Sequence, residues 1–482
     1  MHYKMVVVSN RSPYVLSGGR WQRAVSGLVS CVEPLLKTCG GTWVAWGGRA
    51  EGAPAPVQPP GGSYHVRDVF LSAEEMAGYY DGFANQCLWP LCHSFVEKCS
   101  IRADHWDVYR RVNEKFARAA AEVADGEGLV WVHDYHLALV PRLLRRLNAS
   151  GRIALFWHIP FPGPDIFRLL PWGRELLSGM LAANLIAFHT DSYVENFIDC
   201  VRAFFHAPGK PESDLLIFDG RPVSVRAIPV GVDWQHFDEL AKDAAVQARG
   251  REIRRVAGAE YVLLGVDRLD YTKGILERLA AYELFLERHP EFVGRVTLIQ
   301  IGVPTRNGVK AYSRLRRTVE EMVGRINGRF DRLHRAVPVR YLSRPLDERE
   351  LVAHYLAADV ALVTALRDGL NLVAKEFVAA RRDQGGVLVL SRFAGAAEDL
   401  AAALLVNPYE QEELAGAIHQ ALTMPAGERL RRMQSLRRAV REKDLHWWWQ
   451  NTLKYALPAR LEMFSPRSRL HSGRQDGMAV NG

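Results

Sequence analysis

Residues 261–289 read YVLLGVDRLDYTKGILERLAAYELFLERH: an apolar run, then a polar turn, then an amphipathic segment. The run from Tyr261 to Val266 is continuous rather than alternating, as in a strand buried on both faces. From Ile275 the apolar positions Ile275, Leu276, Leu279, Tyr282 and Leu286 fall at three- and four-residue steps and share one broad helix face, which is core packing. The same strand–turn–helix grammar recurs outward from this stretch, with runs at Met5 (MVVVS), Gly128 (GLVWVHD), Ile153 (IALFWHI), Leu185 (LIAFHT), Val296 (VTLIQIG), Val360 (VALVTAL) and Val387 (VLVLS). Apolar strands alternating with helices require parallel sheets covered on both faces, so the expected class is α/β and doubly wound. A chain of 482 residues is too long for one ordinary core and fits two such domains. The boundary is expected between PVGVDWQHF (229–237) and the strand at Tyr261, with domains at 1–245 and 246–440.

Hydrophobic residues make up 48% and charged residues 24%, which excludes a disordered or fibrous chain. No apolar segment approaches the roughly 18 residues of a membrane span, and the start MHYKMVVVSNR lacks the pattern of a secretory signal. Cys31, Cys39, Cys87, Cys92, Cys99 and Cys200 form no CxxC pair and have no histidine partner at zinc-finger spacing, so free thiols and a cytoplasmic location are expected. The formal charge of +8 comes from dispersed residues, apart from Arg429 to Arg441, where basic and apolar positions alternate at helical spacing. That segment reads as a solvated helix face, so neither a nucleic-acid nor a membrane partner is expected, and the basic character suits a small anionic substrate. The Pro- and Gly-rich segment from Glu51 reads as a surface loop, and the polar tail 465–482 as disordered.

In doubly wound domains ligands bind beyond the carboxyl ends of the strands. Those ends carry Ser9-Asn10-Arg11, His133-Asp134-Tyr135-His136 and His158-Ile159-Pro160 in the first half. The second half has Asp267 to Gly274, Gly302 to Arg306, and Arg367 to Leu372. Cations (Arg11, Arg268, Lys273, Arg306) and carboxylates (Asp134, Asp368, Glu376) thus gather on one side of two sheets, which suits a ligand bearing both phosphates and hydroxyls. In RDGLNLVAKEF, Gly369 allows a tight turn and a helix starting near Asn371 aims backbone N–H groups at an anion. Glu376, in the first turns of that helix, is placed to accept from a ribose diol. Ser26-Gly27 is a candidate for a close backbone approach in the first domain. Signatures of serine hydrolases, P-loop enzymes, zinc proteases and dinucleotide-binding folds are missing from the sequence.

VVVSNR, QCLWPLCH, WVHDYHL, HIPFPGPDIFRLLPW, DRLDYTKGI and LRDGLNLVAKEFVAA occur in this order, and from about residue 5 to about 460 the chain resembles the trehalose-6-phosphate synthase family of retaining glycosyltransferases. The resemblance implies two facing Rossmann-like domains of GT-B type, with a C-terminal crossover helix at 441–464 packing back on the first. It implies a donor nucleotide-sugar, expected to be UDP-glucose, and glucose 6-phosphate as acceptor, with no metal and no other cofactor.

By the same resemblance His158, Arg268, Lys273 and Asp368 are catalytic. The donor is bound by Ser26, Gly27, Arg268, Lys273, Asp368, Gly369, Leu370, Asn371, Leu372, Val373 and Glu376, and the acceptor by Arg11, Tyr80, Trp89, Asp134 and Arg306. Two positions depart from the usual pattern: Ser26-Gly27 replaces a frequent Gly-Gly pair, and Leu346 stands where some members have Phe near the base. Both leave UDP, GDP and ADP open. A homo-oligomer and a separate downstream trehalose-phosphate phosphatase are further expectations. The rival readings are the same chemistry on another phosphorylated acceptor, such as glycerol 3-phosphate, and a catalytically silent sugar-phosphate sensor. The sensor would be marked by loss of Lys273, Asp368 or Glu376, and all three are present.

Overall fold

The computed structural model describes residues 5–17, 20–24, 27–48, 62–126, 128–147, 151–205, 215–305 and 310–457. Most of the loop from Glu51, the tail 465–482, and the candidate residues Ser26 and Arg306 lie outside them.

The chain forms β1 (Met5–Arg11), β2 (Tyr14–Ser17), β3 (Arg20–Arg23), β4 (Thr42–Trp46), β5 (His65–Asp68), β6 (Leu129–His133), β7 (Arg152–Phe156), β8 (Leu185–Phe188), β9 (Leu215–Phe218) and β10 (Arg221–Ala227). A second set follows as β11 (Tyr261–Arg268), β12 (Val296–Val303), β13 (Val339–Leu342), β14 (Val360–Val363), β15 (Val387–Ser391) and β16 (Leu404–Val406). The first sheet runs β5-β4-β1-β6-β7-β8-β10-β9, parallel except for the β9–β10 hairpin; the second runs β13-β12-β11-β14-β15-β16, parallel throughout; β2 and β3 form a separate hairpin. Every apolar run singled out in the sequence is a strand, and the helix Ile275–Arg288 follows β11 as its periodicity requires. Both domains have the doubly wound architecture of a GT-B fold.

Each sheet reverses its winding once, between β1 and β6 and between β11 and β14. At such a switch point the loops leaving two neighbouring strands diverge and open a crevice at their carboxyl ends. The sequence places Arg11 and Asp134 at the first crevice and Arg268 and Asp368 at the second.

The passage between domains comes earlier than residue 245. The helix Trp234–Lys242 packs on the helices Glu348–Ala357 and Leu372–Ala380 of the second domain, burying Phe237 and Ala241 there. The crossing is therefore the extended segment 228–233. The chain returns at Lys443–Leu445, where the Leu445 N–H donates to the Val232 carbonyl (3.0 Å). The helix Leu445–Ala456 then runs under β7 and β8, with Trp448 against Trp131 (ring centroids 4.9 Å) and Phe156 (5.4 Å). Trp449 Nε1 donates to the Cys31 carbonyl (3.0 Å). As expected of a solvated face, the helix Ala426–Glu442 buries only Met433, Leu436 and Val440. All six cysteines are free, and burial pushes the Cys31 and Cys87 thiols up to about 12.

The outgoing and returning segments touch at Gly231, where a Cβ would stand 2.1 Å from the Asp444 carbonyl carbon. Beside them Lys375 donates to the Val230 carbonyl (3.0 Å) and to Asp399 Oδ2 (3.0 Å), whose Oδ1 accepts from Lys443 (2.6 Å). Backbone rather than a flexible side chain fills the space at Gly231, so Gly231→Ala is expected to destabilise the protein by about 1–3 kcal/mol. Gly416→Ala, exposed in the helix Gln411–Thr423 with nothing near its Cβ position, is expected to stabilise by up to about 1 kcal/mol. Thermal unfolding of the two variants should move in opposite directions, and a neutral Gly231→Ala would remove the packing argument.

Candidate active site

A cleft of about 410 Å³ lies between the domains at the two switch points. Its second-domain wall starts with the turn after β11. Asp270 Oδ1 accepts from the Thr272 N–H (3.0 Å) and shapes the short 3-10 turn Tyr271–Lys273, after which Gly274 (φ +64°) starts the next helix. Beneath it the wholly buried Arg278 donates to Asp267 Oδ2 (2.5 Å), Gln300 Oε1 (2.9 Å) and Thr364 Oγ1 (3.0 Å). A charge buried this deeply persists only when its donors are paired, so the network pins β11, β12 and the segment after β14 to one another under the cleft.

On this support Lys273 Nζ lies 2.5 Å from Asp368 Oδ2, which also accepts from Asn371 Nδ2 (3.0 Å). Burial raises the Asp368 pKa, but the charge and hydrogen bond of Lys273, with His93 and Arg268 nearby, together outweigh it, and the carboxyl is held below its ordinary value. The sequence reading assigned the lysine to a diphosphate and the aspartate to sugar hydroxyls; here they neutralise each other.

Asn371 adopts φ +78° and caps the helix Leu372–Ala380, its Oδ1 accepting from the Ala374 N–H (3.3 Å). Leu372 and Val373, at the helix start, line the cleft, and the N–H groups of a helix's first turn have no intrahelical acceptor. Leu370 lines it too. Gly369 serves a different purpose from the expected turn. Its φ is not positive, and a Cβ there would stand 2.2 Å from the His158 carbonyl oxygen, so glycine is needed for the approach of one domain to the other. Across the cleft the helix Gly27–Cys39 begins opposite Leu372, with a Gly27 Cβ position 3.0 Å from Leu372 Cδ1. Two helix starts thus face one space. Glu376, one turn deeper, accepts from Tyr355 Oη (2.8 Å), and burial pushes its carboxyl up to about 7.

The first-domain wall is made by residues at the ends of β6, β7 and β8. Asp134 takes φ +75°, and its Oδ1 accepts from the Tyr135 N–H (2.9 Å) and the His158 N–H (3.2 Å), tying two strand ends together. His158 and His189 line the cleft; burial holds His158 well below its usual pKa and His189 at about 3, so both rings are neutral.

Arg11, Tyr80 and Trp89 are not in this wall but stand close by. The segment Met76–Leu88 winds as a π-helix and presents Tyr80, whose hydroxyl accepts from Arg11 Nη2 (2.7 Å). Tyr80 stacks on His136 (5.6 Å between centroids, 11°), and His136 Nδ1 is 3.8 Å from Asp134 Oδ2. Trp89 lies under the Arg268 guanidinium (5.3 Å) and over His93 (4.1 Å), joining the acceptor group to the donor group.

The candidates therefore form two adjoining sets: Gly27, His158, Arg268, Lys273, Asp368 to Val373 and Glu376 around the cleft, and Arg11, Tyr80 and Trp89 beside it, with Asp134 in the cleft wall next to both. Sequence reading missed His93, His189 and Arg278, and gave the strand-end Asp267 no role. His189 stands at the end of the LIAFHT strand, and Arg278 interrupts the apolar stripe between Ile275 and Leu279; each was a visible signal. Among the described residues, His289, Glu291 and His419 are grouped closely enough to hold a cation, and none of them lines the cleft.

The profile of glycosyltransferase family 20 matches residues 3–457. The trehalose-6-phosphate synthase of Mycolicibacterium smegmatis is 41% identical over 461 residues, 93% of this chain and 91% of that protein. The bifunctional trehalose-6-phosphate synthase/phosphatase of Thermoproteus tenax is 40% identical over 92% of this chain, which spans only 62% of that relative's length. In three dimensions the chain is similar to the UDP-forming α,α-trehalose-phosphate synthase of Burkholderia xenovorans in complex with glucose-6-phosphate, with a TM-score of 0.87 and 34% identity over 94% of this chain and 99% of that one. The match runs through both domains and every strand end that builds the cleft, and the chain belongs to glycosyltransferase family 20.

Proposed function

We propose that the enzyme transfers glucose from UDP-glucose to glucose 6-phosphate with retention at the anomeric carbon, giving trehalose 6-phosphate and UDP. The observation that carries this reading is the meeting of Arg268, Lys273 and two helix starts at one point of a cleft whose opposite wall presents neutral imidazoles and Asp134. The acceptor hydroxyl attacks on the face from which the diphosphate departs. As the bond from the anomeric carbon to the phosphate oxygen breaks, the new glycosidic bond forms and the hydroxyl proton passes to the leaving phosphate. Negative charge grows on that phosphate, where Arg268, Lys273 and the Leu372 and Val373 N–H groups stabilise it. Asp368, released from Lys273 by the incoming anion, accepts from glucose hydroxyls, and Glu376 accepts from the ribose. Arg11 binds the acceptor phosphate together with Arg306, and Tyr80 and Trp89 supply surface for its ring.

The first test is turnover with a panel of nucleotide-glucoses and acceptors. UDP-glucose with glucose 6-phosphate should be the preferred pair, with free glucose poor because it forfeits charge-assisted bonds worth roughly 1.5–3 kcal/mol each. Preference for glycerol 3-phosphate would move the assignment to another acceptor. In the same assay Arg268→Ala should lose about 3 kcal/mol of transition-state stabilisation, roughly 100-fold in kcat, with its melting temperature unchanged. Wild-type turnover in that variant would remove Arg268 from the mechanism.

The cations and helix starts already facing the diphosphate position support a reaction that needs no divalent metal. Activity should persist in excess EDTA, and complete loss restored by Mg²⁺ or Mn²⁺ would contradict this.

Glu376 gives a signature readable without substrate. Its folded-state pKa is raised from 4.5 to about 7, so between those values the folded protein keeps a proton that the unfolded chain has lost. Stability from this group therefore falls as pH rises through that window. Glu376→Gln keeps an oxygen for Tyr355 but does not titrate. Its melting temperature relative to wild type should rise between pH 4.5 and pH 8 by roughly 4 °C. A difference independent of pH would show that Glu376 titrates normally.

A further inference from the structure

His133, at the end of β6, is wholly buried, and its Nδ1 lies 3.0 Å from His158 Nε2. The two imidazoles are nearly coplanar (18°) with centroids 5.3 Å apart, as an in-plane hydrogen bond requires, and Trp131 lies 4.7 Å and Trp448 6.4 Å from the His133 ring and Phe156 4.5 Å from the His158 ring. Burial keeps both rings neutral, so one proton is shared across the contact and each ring carries one more hydrogen-bonding choice. Among the described residues His133 Nε2 is buried without a partner.

Two arrangements are possible. If His158 donates from Nε2, His133 must carry its proton on Nε2, leaving a buried N–H with no acceptor. If His133 donates from Nδ1, its Nε2 is bare, and only a lone pair is left unmatched. Orphaned buried N–H groups are rarer and costlier than under-used acceptors. The second arrangement wins, and it leaves His158 Nε2 as the acceptor and places the His158 proton on Nδ1. That nitrogen has no protein partner among the described residues, and its ring lines the cleft.

We propose that His133 is a positioning residue that holds His158 in the Nδ1–H form, so that His158 presents a hydrogen-bond donor to an oxygen of the transferred sugar. This rests on the glucosyl-transfer reading above. The ligand oxygen then accepts this hydrogen bond, whereas a bare imidazole nitrogen in the same place would have to accept from a sugar hydroxyl, reversing its direction. The β6 end, the β7 end and the returning C-terminal helix together enclose the pair, which explains why Trp448 is packed against it.

The test has two arms. Histidine selectively labelled with ¹⁵N, with the His158 signals assigned by their loss in His158→Gln, reports which ring nitrogen bears the proton in the full chain without substrate. A protonated Nδ1 and a bare Nε2 are expected, and the reverse overturns the proposal while leaving glucosyl transfer untouched. In the second arm, His133→Phe fills the space but cannot donate, whereas His133→Asn keeps an amide N–H near the Nδ1 position. Loss of roughly 10- to 100-fold in kcat is expected for His133→Phe, with the acceptor KM unchanged and most activity restored in His133→Asn. Equal activity of a folded His133→Phe and wild type, or equal loss in both variants, overturns the proposal. If His133→Phe does not fold, the tautomer measured in the wild-type chain decides. Absence of transfer with every donor and acceptor pair would sink the functional reading and leave the tautomer result to stand or fall separately.

Discussion

The ion pair between Lys273 and Asp368 is the constraint on which the arrangement of the cleft turns. Both side chains are nearly removed from water, their charged atoms 2.5 Å apart. Withdrawing two charges from water costs several kcal/mol each, and a buried pair seldom returns more than it costs. Such a pair is weak evidence of stabilisation, but it makes sense where a ligand will take one partner and release the other. Here the lysine is anchored by a turn resting on Arg278, and the aspartate by Asn371 and by the Tyr193 hydroxyl, which donates to the Asp368 carbonyl from the first domain (3.2 Å). Neither backbone needs to move for the pair to open.

That rigidity depends on how the domains are joined. The two crossing segments meet at Gly231 with no room for a Cβ, and the Lys375–Asp399–Lys443 cluster fixes both to the helix that carries Glu376 and starts at the proposed diphosphate position. The same helix therefore binds the hinge on one side and faces the ligand on the other. Gly369 against the His158 carbonyl and Gly27 near Leu372 set a second line of close approach across the cleft floor. At Gly231 and Gly369 the placement of the walls is fixed by backbone contacts that admit no side chain, while at Gly27 the neighbour is the movable end of Leu372.

Much of this was legible in the sequence because parallel sheets write themselves plainly: continuous apolar runs such as YVLLGV and VTLIQIG have no other common use, and ligand residues follow them. The family resemblance supplied what periodicity could not, including the returning helix and the roles proposed for Tyr80 and Trp89. What escaped reading was decided by tertiary contact. The three-residue β16 and the edge strands β5, β9 and β13 are too short or too mixed to stand out from loops. The helix Trp234–Lys242 looks like a continuation of the first domain until its Phe237 is seen packed on the second. Gly369 looked like a turn because its need for a missing Cβ arises 211 positions away, at His158. Lys273 and Asp368 were each identified, yet nothing local showed that they would pair.

The distribution of charge completes the argument. The first-domain wall carries His158 and His189 at the cleft with His133 behind, and burial keeps all three uncharged near neutral pH. The positive groups are concentrated instead on the second domain, at Arg268, Lys273 and the start of Leu372–Ala380. A sugar lying between these walls meets neutral imidazoles and the Asp134 carboxylate on one side, and on the other Arg268, a helix start and the Lys273–Asp368 pair, whose lysine is freed for an incoming anion. Such a gradient draws electrons toward the leaving diphosphate, and it avoids placing a cation beside the anomeric carbon as that carbon becomes electron-poor. Protonating any of the three imidazoles would reverse the advantage, so the enclosure of the histidine cluster by Trp131, Phe156 and Trp448 belongs to the electrostatics of transfer as much as to the packing of the fold.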